Sequence, residues 1–500
     1  MRTSKLLFFL MFFGGIQCVV AQNQNQPEAI RLTLPEVIAM SQSEAPDVLL
    51  AKTRLTNSYW QYQSFLGDYR PQISLEATLP NLERSIIPFV QPDGRDVFIR
   101  KASVSSSFSV ALRQDVALTG GQVFASTGLQ HKYNFANDLN PAINSYFSTP
   151  ISVGFNQPLF GFNALKWNKR IEPLRYQQAG KEYAENMERL AFDASRLYFD
   201  VLIAQKNAEA ATLEKVNADT LYAISQGRFS VGRIAETELL QIELSVMNAN
   251  ASQAEAMLRL QTATEELRNF LGIREAINFD LATPDAIPAF LIDPELALQY
   301  AKTNRSTAVA FQRRLLEADR NVAEAKANNG LNANLFGTFG LSQTSEQFDQ
   351  AYVDPLDQEQ LRLGLQLPIA DWGKSKARLQ IAESNRKLVQ MNVSQERINF
   401  EREILLKVQQ FDLVREQVER SLRAYEVAQR SEDITRKRYR IGKISITDLN
   451  ISISAKESAR RRYITSLQSF WLSHFELRNL TLYDFESGKP LVKTLNNFDN

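Results

Sequence analysis

The apolar residues of the chain follow two different periods, which alternate along its length. A period of two, with apolar and polar residues alternating, occurs in blocks at 73–79, 104–118, 151–155, 331–341 and 361–367. This alternation is typical of strands in a sheet with two unlike faces. Helical patterns are predicted at 35–69, 166–228, 236–270, 294–328, 376–438 and 446–480. The order of helix, strands, very long helix and returning helix therefore occurs twice.

This double occurrence is an internal repeat with a constant offset of 210 residues. Three matched pairs share the offset: Pro158 with Pro368, Gly232 with Gly442, and Glu266–Asn269 with Glu476–Asn479. One offset held over more than a hundred residues indicates a duplicated structural unit. The first copy also holds an insertion at about 81–150. Its alternating residues and the turn pair Gly120 and Gly121 fit either two more strands or an extended loop.

The repeat defines the predicted domains. They are a leader at 1–21, a first repeat at 22–272, a linker at 273–293, a second repeat at 294–480 and a C-terminal tail at 481–500. The leader has a basic start, an apolar run and small residues before Gln22, which is the pattern of a secretory signal peptide. Cys18 would be a lipidation site only with a small residue before it, and Gln17 stands there instead.

Both returning helices carry a seam at the alternating three- and four-residue steps of a coiled coil. The first seam comprises Leu239, Ile242, Val246, Ala249, Gln253, Ala256, Leu260, Ala263, Leu267 and Phe270. The second comprises Leu449, Ser452, Lys456, Ala459, Tyr463, Ser466, Phe470, Ser473, Leu477 and Leu480. Only Gln253 interrupts the apolar first seam, whereas the second is smaller and more polar. Each long helix, of roughly 63 residues, would span about 95 Å.

The strands decide the fold class. No segment after the leader has 18 continuous apolar residues, so a chain that crosses a membrane must do so as a β-barrel. Two strands per copy give four per chain, which is too few to close a barrel, since known membrane barrels begin at about eight strands. We therefore expect a mainly α-helical protein with long coiled-coil hairpins forming an α-barrel, and a membrane β-barrel shared between several chains.

Composition excludes several functions. The chain has 57 Lys and Arg against 56 Asp and Glu, which argues against nucleic-acid binding. Its one cysteine lies in the leader, and its two histidines, His131 and His474, are far apart. We expect both histidines to be structural or exposed. No nucleophile–base pair, metal-ligand cluster or phosphate-binding glycine loop stands out, so we expect no enzyme activity and no cofactor.

The repeated segments resemble the TolC-like outer-membrane efflux protein family. The resemblance covers about 30–480 and rests on the duplicated element order, on Gln157–Leu159 and on two related turns, Gly232–Leu239 and Gly442–Leu449. It implies a homotrimer whose β-barrel, with four strands per chain, crosses the lipid of the outer membrane. An α-helical barrel then carries the conduit through the periplasm. The periplasmic entrance opens when an inner-membrane pump and its periplasmic adaptor dock, and the cargo is small molecules or polypeptides.

The resemblance also implies roles for individual residues. Glu238 and Asp448, each six residues after a turn glycine, correspond to acids that line the closed entrance. Tyr439 matches an aromatic residue that locks neighbouring helices, and Lys443 approximates a basic residue beside it. The family's second acidic ring falls on Ile451, so a double ring of carboxylates is not expected.

Simpler roles fit the same residues. Glu238 and Asp448 would stabilise helix N-termini through the macrodipole, and Gly232 and Gly442 would supply left-handed turn geometry as well as contact an adaptor. The basic run at 436–440 fits a solvated helix face. Aromatic residues near the strand–helix junctions, including Trp60 and Trp372, fit either core or a membrane-interface belt.

Two other classes of protein also contain long coiled coils. A periplasmic adaptor would carry one hairpin between small β-domains, whereas here two equivalent hairpins follow barrel-like strands. A structural coiled-coil protein of the envelope would have no use for duplicated alternating strands.

Overall fold

The computed structural model describes residues 30–90, 94–136, 141–275, 277–284, 287–441, 443–444 and 446–491. The predicted leader lies outside these ranges. The first repeat comprises β1 (Ile30–Leu32), α1 (Leu34–Ser43), α2 (Pro46–Gly67), β2 (Gln72–Val90), β3 (Asp96–Val116), β4 (Gly121–Asn134), β5 (Ile143–Pro158), α3 (Ala164–Ser230) and α4 (Glu236–Leu271). The remainder comprises β6 (Phe279–Leu281), α5 (Pro294–Asn304), α6 (Ser306–Ala327), β7 (Asn332–Ser345), a short 3₁₀ helix (Asp349–Tyr352), β8 (Leu356–Gln366), α7 (Lys374–Arg440), α8 (Ile446–Thr481), β9 (Tyr483–Asp484) and β10 (Lys489–Pro490).

The described residues form two compact units. One comprises the chain up to Val37 together with Asp200–Pro284, and the other comprises Ile38–Phe199 together with the chain from Asp285. The first unit contains the second part of α3, α4 and a parallel pair of strands, β1 and β6. β6 lies in the segment that the sequence predicts as a linker. The second unit contains the large sheet and the α7–α8 hairpin.

The large sheet has six antiparallel strands in the order β2-β3-β4-β5-β7-β8. The count of four strands per chain is therefore wrong, and of the two alternatives for the insertion, additional strands are present and not an extended loop. The first repeat contributes four strands because its insertion forms additional strand pairing through β3 and β4, and the second repeat contributes two. Alternating serines between apolar residues in β3 fit a strand with one polar face.

The two faces of this sheet differ in polarity. Register across the strands places one apolar set on a single, solvent-accessible face: Ile73, Leu75, Phe108, Val110, Leu112, Val123, Val153, Phe155, Phe339, Leu361, Leu363 and Leu365. The opposite face carries polar groups, where the hydroxyls of Ser152 and Thr338 lie 3.0 Å apart. On the same face Phe124 stacks on Phe336, with the guanidinium of Arg362 5.3 Å from the Phe336 ring.

The helix predicted before each set of strands is divided in two. In the first repeat the break falls at Ala45, whose extended backbone (ψ 141°) suits the residue before a proline. In the second it falls at Arg305, also extended (ψ 147°). There two side chains of α3 meet the helix ends: the Lys181 ammonium donates to the carbonyl of Thr303, and the Glu185 carboxylate accepts from the amide of Ser306. Each charge complements the dipole of the helix end that it contacts.

None of the described helices combines the length and apolarity required to cross a membrane.

Candidate functional site

The first hairpin turns at Gly232, which closes the end of α3. Gly232 has a φ of +71°. Its amide donates to the carbonyl of Phe229 (2.9 Å), and the amide of Arg233 donates to the carbonyl of Arg228 (2.9 Å). These two bonds satisfy carbonyls that the helix leaves free. A Cβ at Gly232 would meet none of the described atoms within 4 Å, so the backbone angle, and not space, requires glycine.

The returning helix α4 begins with acidic residues. Glu236 and Glu238 lie in its first turn, where a negative charge complements the N-terminal dipole. The amide of Glu238 donates to the carbonyl of Ala235, and its side chain is exposed. Glu238 can therefore fill the simple role of a helix N-terminal acid while its carboxylate stays accessible.

The second hairpin turns with the same hydrogen bond 210 residues later. The amide of Lys443 donates to the carbonyl of Arg438 (3.0 Å), as the amide of Arg233 does to Arg228. The Lys443 side chain is exposed. Gly442 itself lies outside the described residues.

Asp448 occupies the first turn of α8 and is exposed, as Glu238 is in α4. The side chain of Tyr439 lies outside the described residues. The entrance roles of Glu238, Tyr439, Lys443 and Asp448, and adaptor contact at Gly232 and Gly442, stay predictions.

The basic run before the second tip pairs with acids one turn earlier. The Arg436 guanidinium donates to the carboxylate of Glu432 (2.7 Å), and the Lys437 ammonium to that of Asp433 (2.6 Å). The Lys437–Asp433 pair is exposed, so it fits a solvated face. Glu432 differs, because only 8% of its side chain is exposed.

Glu432 belongs to a charged group inside the α7–α8 hairpin, which we call the seam cluster: Glu432, Arg436, Lys456, Glu457 and Arg460. The Lys456 ammonium lies 3.7 Å from carboxylate oxygens of both Glu432 and Glu457. The Arg460 guanidinium lies 2.6 Å from a carboxylate oxygen of Glu457. In the sequence, the lysine at a seam position is the one sign of this cluster. The sequence does not predict the partners of Lys456, because Glu432 lies on the other helix.

A second buried network holds the end of α8. Arg478 forms a two-pronged ion pair with Glu188 of α3 (2.8 and 3.2 Å) and lies 3.5 Å from Asp484. Its neighbour Asn479 donates to the carbonyl of Glu185. Burial raises the pKa of Glu188, while the charge of Arg478 opposes that shift. The repeated Glu-Leu-Arg-Asn motif thus anchors the returning helix in the second copy.

His474 packs one helical turn before Arg478, among the rings of Phe290, Phe470, Trp471 and Phe475. Burial lowers its pKa to about 4, and the charge of Arg478 acts in the same direction. Ligand atoms of His474, Asp484 and Glu486 lie within 4.8 Å of one another. Asp484 already accepts from Ser487 (2.8 Å) and lies beside Arg478, so we assign this group a structural role.

The aromatic residues at the strand–helix junctions divide into two groups. Tyr62 stacks on Tyr176, Phe65 is buried, and the Tyr69 hydroxyl donates to the carbonyl of Leu165 (2.6 Å), so these rings belong to the core. In contrast, Trp60, Phe160 and Trp372 are exposed, and Trp372 is 99% accessible. The exposed group fits an interface belt, and the core group does not.

The sequence profile of the outer membrane efflux protein family matches residues 124–273 and 298–481, one segment in each repeat and more than half of the 500 residues. The chain belongs to the outer membrane efflux protein family. The match supports an efflux channel of the outer membrane over an adaptor or a structural coiled-coil protein. It also places the chain outside the enzymes.

Solved structures share the fold of this efflux protein. The Campylobacter jejuni CmeC outer membrane channel is 16% identical, with a TM-score of 0.65 over 92% of this chain and 87% of that one. The outer-membrane channel OprN is 16% identical, with a TM-score of 0.61 over 92% and 90%. The open-state Neisseria gonorrhoeae MtrE outer membrane channel is 14% identical, with a TM-score of 0.58 over 90% and 88%. No curated protein sequence matches significantly.

Proposed function

We propose that three copies of this efflux protein form one channel, with a shared β-barrel in the outer membrane and an α-barrel that conducts cargo through the periplasm. An inner-membrane pump and a periplasmic adaptor complete the export system. The cargo is a small molecule or a polypeptide. The chain supplies the passage and carries out no chemistry on what passes.

The two-faced sheet is the observation that carries this proposal. Its apolar face is exposed, with Ile73 and Leu361 each 76% accessible, and its other face is polar. An exposed apolar face of this extent marks a surface that another phase or molecule covers. Lipid outside and water inside would satisfy both faces, as in outer-membrane barrels.

The hairpin tips supply the proposed entrance. Three copies of Glu238 and of Asp448 would place rings of carboxylates there, and a ring of acids attracts cations and repels anions. Tyr439 and Lys443 would hold neighbouring helices at the second tip. Gly232 and Gly442, without side chains, would let adaptor helices approach closely.

Conductance tests the channel. The purified protein, inserted from detergent into a planar bilayer, should give stepwise, cation-preferring currents. Protein that stays in solution without detergent and gives no current steps would contradict the proposal.

The entrance role has its own test. Asp448→Ala should weaken block by multivalent cations applied from the periplasmic side, because it removes one carboxylate ring. Asp433→Ala, which removes an exposed acid from α7, is the matched control. Equal block in both variants and the parent would remove Asp448 from the entrance.

A further inference from the structure

The six-stranded sheet ends in two open edges. Among the described strands, β2 pairs with β3 alone and β8 pairs with β7 alone. Each edge strand therefore has one row of backbone donors and acceptors without a strand beside it. In lipid such a row is unfavourable, because no water is present to hydrogen-bond these groups. The sheet requires a strand on each side once it enters the membrane.

The stagger of the sheet matches that of a closed barrel. The register passes from Gln72 through Arg113, Phe124, Gly154 and Thr338 to Gln360. Gln72 is the first residue of β2, but Gln360 lies six residues before the end of β8. At about 3.3 Å per residue and about 4.8 Å per strand, this stagger is a tilt of about 40°. Closed barrels tilt their strands by about 35–45°.

The two edges also fit each other. β2 leaves the helical end of the sheet and β8 returns to it, so copies set side by side would pair them antiparallel. Odd-numbered residues are apolar and even-numbered ones polar in both 72–78 and 361–366, apart from small Ala77 and Gly364. Pairing them would continue both the apolar and the polar face without interruption.

We propose that β8 of each chain pairs with β2 of the next, so that three chains close one barrel of eighteen strands, six from each. This inference rests on the proposed trimeric channel. It differs from the four strands per chain that the family resemblance implies. Because barrel diameter grows roughly linearly with strand number, the pore in the membrane would be about half as wide again as that of a twelve-stranded barrel.

Face polarity and side-chain charge select the register. Continuing the stagger by one strand brings Gln360 opposite Thr78 or Pro80 of the next chain, since only even-numbered residues keep the faces matched. With Pro80 opposite Gln360, Arg362 would face the uncharged Thr78. With Thr78 opposite Gln360, Arg362 faces Glu76, which places opposite charges together on the polar face.

Cysteine cross-linking tests the edge pairing. The proposed register sets Leu75 opposite Leu363 of the next chain, on the lipid face. The chain has one cysteine, in the predicted leader, so the unsubstituted protein serves as the negative control. Leu75→Cys with Leu363→Cys should form disulfides under mild oxidation and run as a covalent trimer in denaturing, non-reducing gels. Ile73→Cys with Leu365→Cys should behave the same way.

Two matched pairs separate the alternatives. Val123→Cys with Leu363→Cys should not cross-link, because it would require β4 to be the edge of a four-strand chain. Ala77→Cys with Leu363→Cys should cross-link poorly; stronger cross-linking there than with Leu75→Cys would shift the register and overturn the Arg362–Glu76 pairing.

The oligomer itself must be measured beside the cross-links, by light scattering in mild detergent. Trimers with the Leu75–Leu363 adduct support the inference. Trimers without either β2–β8 adduct, or with the Val123–Leu363 adduct, overturn it while leaving the proposed channel intact. A parent protein that is monomeric in detergent overturns the proposed trimer as well.

Discussion

The two helical hairpins have equal lengths and different interiors. In the first, the seam of α4 is apolar, and its one interruption, Gln253, donates to the hydroxyl of Thr212. In the second, Lys456 and Glu432 occupy positions that correspond, 210 residues earlier, to Val246 and Tyr222. The duplicated backbone thus accepts either apolar or charged packing.

The largest difference lies at the end of the returning helices. Arg478 contacts Glu188 and Asp484 across the fold, whereas its counterpart Arg268 pairs with Glu265 on its own helix. Arg478→Ala should destabilise the protein by about 3–5 kcal/mol, because it leaves the buried Glu188 unpaired. Arg268→Ala, the matched control, should cost about 1 kcal/mol or less. Thermal unfolding in detergent, followed by circular dichroism, measures both. Equal losses would contradict the comparison.

The seam cluster gives the next largest effect. Glu432→Ala should cost about 2–4 kcal/mol, because Lys456 then lies in the hairpin without that partner. Asp433→Ala removes an exposed acid one residue away and should cost about 0.5 kcal/mol. The double change Glu432→Tyr with Lys456→Val copies the first hairpin and should restore stability, since apolar packing replaces a buried pair well. A double variant less stable than Glu432→Ala would show that the two interiors are not interchangeable.

His474 makes the second hairpin sensitive to acid. The pKa of His474 is about 4 in the folded chain, against 6.5 for the free side chain. Between these values the unfolded chain binds more protons, so stability falls as the pH falls through this window. At about 1.4 kcal/mol per pKa unit, the stability lost by the lower end of this window is about 3 kcal/mol. His474→Thr, which copies Thr264 of the first repeat, should flatten the dependence of the unfolding temperature on pH. The raised pKa of Glu188 has the opposite effect on the pH dependence of stability. This effect is the same in the parent and in the variant, so the difference between them reports on His474.

The smallest effect concerns the first turn. Gly232→Ala should destabilise by about 1 kcal/mol, because alanine disfavours a φ of +71°. Gly227→Ala is the matched control. Gly227 lies inside α3 with open space around its Cβ position, so alanine there should stabilise by about 0.5–1 kcal/mol. Stabilisation by both substitutions would contradict the assigned turn geometry.

Local patterns predict the helices well and the long-range pairing poorly. The sequence places the long helix at 166–228 and the structure has Ala164–Ser230, because periodicity over many turns is a strong local signal. All ten predicted seam residues of α4 are buried or half-buried. The sequence leaves the strand count open between four and six, because the alternating residues in β3 fit a loop as well as a strand until their partners are known. Likewise, Arg478 and Glu188 are 290 residues apart, and no local pattern joins them.

The same limit applies to the candidate site. The turn glycines and helix-start acids follow from short motifs, so Glu238 and Asp448 could be placed on hairpin starts from the sequence. The break at Arg305 could not, since Glu185 and Lys181 of α3 stabilise it from a distant part of the chain. The sequence shows Lys456 as a charged residue in the seam. Its contribution to stability depends on the burial of Glu432, which only the folded hairpin shows.

The mass of the native particle tests the central claim most directly. Native mass spectrometry of the outer-membrane protein released from detergent micelles should give three times the mass of one mature chain. A single-chain mass under conditions that keep the helices folded would contradict a channel built from several chains.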